Sequence, residues 1–311
     1  MIVHTIRCIG YCVVDVEGEE GGSVTGNRRS DPSALRFLIG HDLRATRERS
    51  RWKQSEAATT LGCSQAKINY LESGKTQQQP EQVHTLLQAY GAEIEHVDRM
   101  TSLAGRADQG TWWAPFGDVL PDWFKTFVGL EGLATTAATY ASLVLPGQLQ
   151  TAAYADALLA GNLRVPPMDA DQVVRARMER QRLTENNPLR FRAIIEEYAL
   201  DRMVGGPQVM CEQLQHLLTL TTQETVELRV MPLDVAVHDG LDGDFLLLDF
   251  DEAQSIGYIE YAAGALYVQD PDQVETYHLA VQRLCHAALS QAASADAIAA
   301  RIDTLQARME D

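Results

Sequence analysis

The sequence predicts an α+β protein: an N-terminal all-α helix-turn-helix domain followed by a larger helical and α+β C-terminal domain with a small sheet. Three observations predict it. Apolar residues recur at helical spacing through the first third of the chain, a dense aromatic stretch then breaks the pattern, and beyond Pro188 the apolar period falls toward two. A chain of 311 residues is long enough for two or three domains with real cores. No apolar run approaches the length of a membrane span, so no membrane partner is expected.

Residues 1–30 hold a short apolar run, Ile6 to Val16, interrupted by Arg7, Gly10 and Asp15, and then the Gly-rich acidic stretch Glu17 to Gly26. The reading is a disordered or extension arm without a secretory signal. His4, Cys8 and Cys12 are metal-ligand types, but three of them with no fourth make a poor zinc site, and no cofactor is expected. Five cysteines are an odd number and form no disulfide framework, which points to reduced thiols and a cytoplasmic protein.

Residues 31–108 read as the helix-turn-helix domain. Leu35, Leu38, Ile39 and Leu43 stripe a first helix, and Val83, Leu86, Leu87 and Tyr90 stripe a fourth that closes the unit. Between them lies KQSEAATTLGCSQAKINYLESGK, Lys53 to Lys75. Counted from Gln54, Ala58 is the small residue where two helices approach, Gly62 suits a turn with positive φ, and Ile68 and Leu71 fall on the buried side of the second helix. Ser64 suits the N-cap of that helix, whereas Lys53 is a poor one for the helix before it. Glu72, Ser73 and Gly74 supply a stop, with Gly74 suited to a left-handed C′ position. This pattern resembles the phage-repressor class of DNA-binding helix-turn-helix; the alternative is a helical hairpin that packs only on protein.

The N-terminal residues of a recognition helix face the major groove. Ser64, Gln65, Ala66 and Asn69 are therefore the candidates to read base edges, the Gln65 and Asn69 amides on adenine and the Ala66 methyl on thymine. Gln54 and Lys67 suit phosphate contacts, which position without carrying sequence information. Tyr70 and Lys75 complete the candidate DNA-binding set. Charge sets the limit. From Asp31 to Gly91 eight Lys and Arg face six Asp and Glu, while the chain carries a formal net charge of −17. A mildly cationic head on an anionic body is no general polyanion binder. Its specificity must come from base contacts and from pairing of two heads on double-stranded DNA, so a homodimer is expected.

Residues 109–187 read as an aromatic-rich helical connector. Trp112, Trp113, Pro115, Phe116, Pro121, Trp123 and Phe124 crowd its start. They serve either as a ligand-stacking or partner-docking surface or, as the preferred reading, as a clamp that fixes the head's last helix to the body. The WW before Ala114, PDWF at Pro121 to Phe124, GLE ending at Glu131, LPGQLQT from Leu145 to Thr151 and YADALL from Tyr154 to Leu159 together resemble an actinobacterial family. Its members are phage-repressor-type (XRE) regulators with a C-terminal DUF5753-like domain, known as WhiJ-like. The resemblance covers roughly Leu35 to the C-terminus, and departs at Gln148 and Tyr70, where the family usually has Leu and often has Arg. It implies a developmental or antibiotic-related transcription factor, in some cases the antitoxin-like partner of a small cognate protein.

Asp171 to Thr184 predicts a helix with Val174, Met178 and Leu183 inward and Arg175, Arg177, Arg180 and Arg182 around it. With Arg164, Arg190 and Arg192 these are either a site for an acidic partner or anionic effector, or pairs for the body's own carboxylates. Residues 188–311 read as an α+β effector, partner and dimerisation domain. Strands are predicted at Phe191 to Glu196, Val226 to Met231, Phe245 to Phe250, Ser255 to Tyr261 and Ala265 to Val268. Helices are predicted near Tyr198 to Met203, Pro207 to Thr221 and Asp272 to Ser290, with a last one capped by Ser294. Nothing catalytic stands out. Glu196 and Glu197 would point to opposite faces of a strand, and Asp239, Asp242, Asp244, Asp249 and Asp251 look like turn chemistry or at most a weak calcium loop. The reading is a sequence-specific regulator and not an enzyme; the alternative is an antitoxin-like interaction module that regulates its own promoter.

Overall fold

Asp31 starts the described fold by capping α1 (Pro32–Arg49), its Oδ1 accepting from the Ser33 and Ala34 amides at 2.8 and 3.0 Å. The computed structural model describes residues 31–106, 113–160, 165–181, 183, 188–261 and 264–310. The N-terminal arm with His4, Cys8 and Cys12, and the candidates Trp112, Arg164 and Arg182, lie outside the described residues.

Four helices follow α1 in the head: α2 (Gln54–Leu61), α3 (Gln65–Glu72), α4 (Pro80–Ala89) and α5 (Ile94–Gly105). The sequence reading closed the head with α4; α5 adds Val97, Met100 and Leu103 to a core that already holds Leu35, Ile39, Leu43, Ile68, Leu71 and Leu86. Its polar side is tied to α1 by His96, whose Nε2 lies 2.7 Å from Asp42 Oδ2.

The body is built on one six-stranded sheet in the order β3-β2-β1-β4-β5-β6. Its strands are β1 (Thr136–Ala141), β2 (Arg190–Glu196), β3 (Val226–Met231), β4 (Phe245–Asp249), β5 (Ile256–Tyr261) and β6 (Gly264–Val268). β1, β2 and β3 run parallel, and β4, β5 and β6 continue as an antiparallel meander from β1. Five strands lie where the period-two pattern put them. β1 does not: it is central to the sheet, yet it comes from residues read as helical connector. TAATYA carries no bulky alternation, and alanine favours helix, which left the strand without a sequence signal.

Both faces of the sheet are covered, as a parallel segment requires. α11 (Pro271–Ala287) covers one, with Val274, Val281 and Leu284 on Tyr140, Ile194, Phe245 and Leu247. The other carries α6 (Asp122–Leu133), α7 (Ala152–Ala160), α8 (Ala170–Arg180), α10 (Pro207–Leu220) and α12 (Gln291–Glu310), packed on Ala137, Phe191, Ala193, Ile195, Leu228 and Leu248. The short α9 (Glu197–Asp201) follows β2. Ser294 is not the cap of the last helix: it lies inside α12, fully buried, its Oγ accepting from the Val230 amide at 2.9 Å.

Head and body share α1. Its Leu35, Ile39 and Leu43 belong to the head core, whereas Ala34 and Leu38 belong to the body core with Phe124, Phe127 and Leu130 of α6. The approach is close: a Cβ on Gly129 would stand 2.6 Å from Asp31 Cγ and 2.8 Å from Ala34 Cβ. Phe37 meets the Tyr267 ring at 5.1 Å, and His41 Nε2 lies 3.0 Å from the Gln269 carbonyl.

Candidate nucleic-acid interface

The turn between α2 and α3 has the chemistry the sequence called for. Gly62 takes φ +65° in the left-handed region, and Ser64 caps α3 by accepting from the Lys67 amide at 3.2 Å. Lys53 gives α2 no side-chain cap; Glu56 instead accepts from the Lys53 amide at 2.6 Å, satisfying one orphan donor. Ala57 and Ala58 of α2 and Ile68 and Leu71 of α3 are buried between the helices. Gln65, Ala66, Lys67, Asn69 and Tyr70 are thereby left exposed on α3, with Lys75 exposed just beyond it.

The C-terminal end of α3 is clamped from behind. Gly40 of α1 passes so close that a Cβ there would stand 2.6 Å from the Leu71 carbonyl and 2.8 Å from that of Glu72. Gln78, buried, donates to the Leu71 and Arg36 carbonyls at 2.6 and 3.0 Å. Gly74 takes φ +68°, which releases the chain from the helix.

Glu72 is more than a stop signal. It is buried, and its carboxylate takes Arg47 Nε at 2.6 Å, Arg47 Nη2 at 3.0 Å and Gln54 Nε2 at 2.9 Å. The Glu72 carboxylate in turn holds the Arg47 guanidinium above its ordinary range. Sequence reasoning missed this pair because its partners are 25 residues apart and no local spacing signals them. Two consequences follow for the candidates. Arg47 is spent inside the head and Arg44 pairs with Glu48 at 3.0 Å, so the cationic surface is smaller than the count of arginines suggests. Gln54, the first residue of α2, is half-buried with its amide nitrogen engaged, so that nitrogen is not free for a phosphate. Gln54, Gln65, Asn69 and Ser73 share one surface hollow with Arg44 and Lys53.

The body candidates divide. Trp113 is half-buried against the body core and its indole N–H donates to Asp31 Oδ2, so it clamps α1 and not the last helix of the head. On α8 the buried residues are Val173, Ala176, Arg177 and Arg180, a face rotated from the one the apolar residues Val174 and Met178 predicted. Arg175 is exposed. Arg177 and Arg180 are not accessible to a protein partner: Arg177 is fully buried with its Nη1 on Gln150 Oε1, and Arg180 Nε lies 2.7 Å from the buried Glu131. Two buried guanidiniums won these positions over aliphatic residues because carboxylate and amide partners meet them there.

Glu196 ends β2 and accepts from Tyr140 Oη at 2.7 Å, whereas Glu197 is not in the strand but opens α9 and pairs with Arg301 at 2.6 Å. The acidic hairpin is spread over separate partners, Asp239 on Arg283, Asp244 on Ser142 and Asp249 on Ser255. Among the described residues no group of three or more His, Cys, Asp or Glu is placed to hold a metal ion.

A five-helix head that presents the first turn of α3, joined through α1 to a mixed-sheet body, defines a helix-turn-helix DNA-binding regulator. A family model described as a helix-turn-helix domain matches residues 38–100, and one described as a domain of unknown function (DUF5753) matches residues 124–300. The chain belongs to the DUF5753 family and carries the helix-turn-helix head in front of that domain. No curated protein and no solved structure matches it. Among the described residues no helix is long and apolar enough to cross a membrane.

Proposed function

We propose that the chain is a cytoplasmic, sequence-specific transcriptional regulator, acting as a homodimer on double-stranded DNA, whose DUF5753 body receives a signal or a partner. The observation that carries the reading is the exposed outer face of α3, a helix whose C-terminal end is held from behind by Gly40, Gln78 and Glu72. Ser64, Gln65, Ala66 and Asn69 read base edges, Gln54 and Lys67 position the helix on phosphates, and Tyr70 and Lys75 complete the DNA-contacting set. Two heads would meet half-sites about 34 Å apart or a multiple of it. The reading includes no catalytic step and no cofactor.

The test is selection of bound sequences from random duplex DNA, followed by footprinting. The expected result is a two-fold symmetric site that Gln65→Ala weakens. Protection of a single half-site, unchanged by Gln65→Ala, would sink the proposal.

A second reading keeps the DNA binding but makes it autoregulatory, with the body bound to a small cognate protein. It is favoured by Leu233, Val237 and Leu241, which are 62%, 83% and 62% exposed on the β3–β4 connection. Three large apolar side chains on one such segment fit a protein contact better than solvent. A small protein encoded beside this one that forms a stable complex with the full chain, lost in Val237→Asp, would support it.

A further inference from the structure

The sheet changes character at β1, parallel toward β2 and antiparallel toward β4. Ligands of open sheets containing parallel strands favour the crevice beyond the carboxyl end of a strand at such a switch point. At that end of β1 lies a cavity of about 80 Å³, walled by Phe124 and Phe127 of α6, Val144 and Leu145 after β1, and Leu246 and Tyr258 of the meander. A water needs roughly 10–15 Å³ by this measure, so the space holds about five to eight heavy atoms.

One polar group in the wall has an unmet need. Arg180, 5% exposed, lies over the Phe124 and Phe127 rings at 5.6 and 5.3 Å. Its Nε faces Glu131 at 2.7 Å, but its buried Nη1 has no hydrogen-bond acceptor among the described residues. A buried N–H without an acceptor is costly, and a ligand oxygen beside it would relieve that cost. Charge narrows the class. Arg180 is already neutralised by Glu131, and the buried carboxylate of Glu260, which accepts from Tyr258 Oη at 3.1 Å, also lines the cavity. An anionic ligand would add a further carboxylate around one guanidinium in a dry site. A cation brings no acceptor for Nη1.

We propose that this cavity is the effector site of the body and takes a small, uncharged, mainly apolar molecule bearing a carbonyl-type acceptor, which bonds Arg180. The assignment rests on the reading of the body as a signal receiver. Its route to the head is short: α6 lines the cavity with Phe124 and Phe127 and, through Gly129, touches Asp31 and Ala34 of α1. A ligand that moves α6 moves the helix on which α3 is clamped.

The test titrates the full chain with cyclohexanone, cyclohexane, cyclohexanecarboxylate and cyclohexylammonium, followed by methyl resonances in NMR. Saturable shifts at Val144, Leu145 and Leu246 are expected with cyclohexanone, at an affinity about tenfold above cyclohexane, the worth of one hydrogen bond to a charged donor. Val144→Trp, at the part-exposed rim, should abolish them without changing thermal unfolding, and Arg180→Lys should bring the ketone and hydrocarbon affinities together. Should Arg180→Lys fail to fold, the four-probe ranking in the wild type decides. Absence of saturable shifts, survival of binding in Val144→Trp, or a charged or hydrocarbon probe that binds as well as the ketone would each overturn the assignment. DNA affinity measured with and without cyclohexanone is a separate readout. Binding at the cavity with no change on DNA would remove the signal-receiving role and leave the cavity's ligand class standing.

Discussion

Removing Glu72 should damage the head more than any single exposed residue of the recognition helix. The Arg47 and Glu72 side chains are 9% and 3% exposed, and the carboxylate accepts two hydrogen bonds from Arg47 and one from Gln54. Breaking a buried pair by deleting one partner costs about 3–5 kcal/mol, because the remaining charge is stranded. In Glu72→Leu, Arg47 keeps the Trp52 carbonyl at 2.9 Å and a longer contact to Glu48 at 3.3 Å, so the loss belongs near the lower end, about 3 kcal/mol. Arg47→Met should lose a similar amount. The double variant Arg47→Met with Glu72→Leu replaces both charges by apolar groups, which is commonly near neutral, so the cycle should give a coupling near the sum of the two single losses, on the order of 6 kcal/mol. Urea denaturation of the full chain, followed by circular dichroism, supplies all four stabilities. Single variants that each cost under about 1 kcal/mol, or a double variant equal to their sum, would refute the claim that this pair holds α3 to α1.

On DNA, Gln65→Ala and Asn69→Ala should each lower affinity for the selected site by about 1–3 kcal/mol and relax preference at one base position. Lys67→Ala should instead weaken all sequences alike and reduce the slope of affinity against salt by roughly one unit, as gel shifts at several salt concentrations would record. Gly40→Ala, which helix propensity alone would make stabilising, should lower the melting temperature, since the new Cβ meets backbone oxygens at 2.6 and 2.8 Å and overpacking costs about 1–3 kcal/mol; a higher melting temperature would contradict the close approach. Stability should fall as pH drops below 6.5. Burial lowers His41 and His216 from that value, so the unfolded chain takes up protons before the folded one does, and the stability present above 6.5 is lost as pH falls toward the folded values. His41→Gln should remove part of the difference between urea midpoints at pH 7.5 and at pH 5.5. A further loss should begin as pH falls below 4.5, where Glu197 takes up a proton in the unfolded chain before it does in the folded one, in which its bond to Arg301 holds it down.

The recognition motif was legible because its signals are local. A cap, a left-handed glycine and small or apolar residues at fixed offsets all lie within 23 residues, Lys53 to Lys75. Five strands were legible because their bulky residues alternate. What escaped reading depends on contacts between distant positions. β1 is written in alanine and threonine, and only its neighbours β2 and β4 make it a strand. Arg180 does pair with one of the body's own carboxylates, as one of the two readings had it, but nothing in the spacing of α8 reveals that Arg177 and Arg180 turn inward to Gln150 and Glu131. Gly40 carries no local signal inside α1, and its reason is the backbone of α3, more than thirty residues away.

The shared helix changes what a domain boundary means here. A reading by composition divides the chain after residue 108, and each side then has a plausible core. In the structure that cut leaves Ala34, Phe37 and Leu38 of α1 without the α6 and β6 residues that cover them. Burial of a Phe or a Leu contributes about 1.5–3 kcal/mol each, so the head is held in one orientation on the body by more than a linker. Asp31 concentrates this arrangement: one fully buried carboxylate caps α1, accepts from the Trp113 indole and rests against Gly129. The first turn of α1 therefore reports the position of α6, while its middle, at Gly40, sets the position of α3. A helix that is core to both units is a physical path between the body and the DNA-binding face, and it needs no flexible hinge to carry a displacement of about an ångström from one to the other.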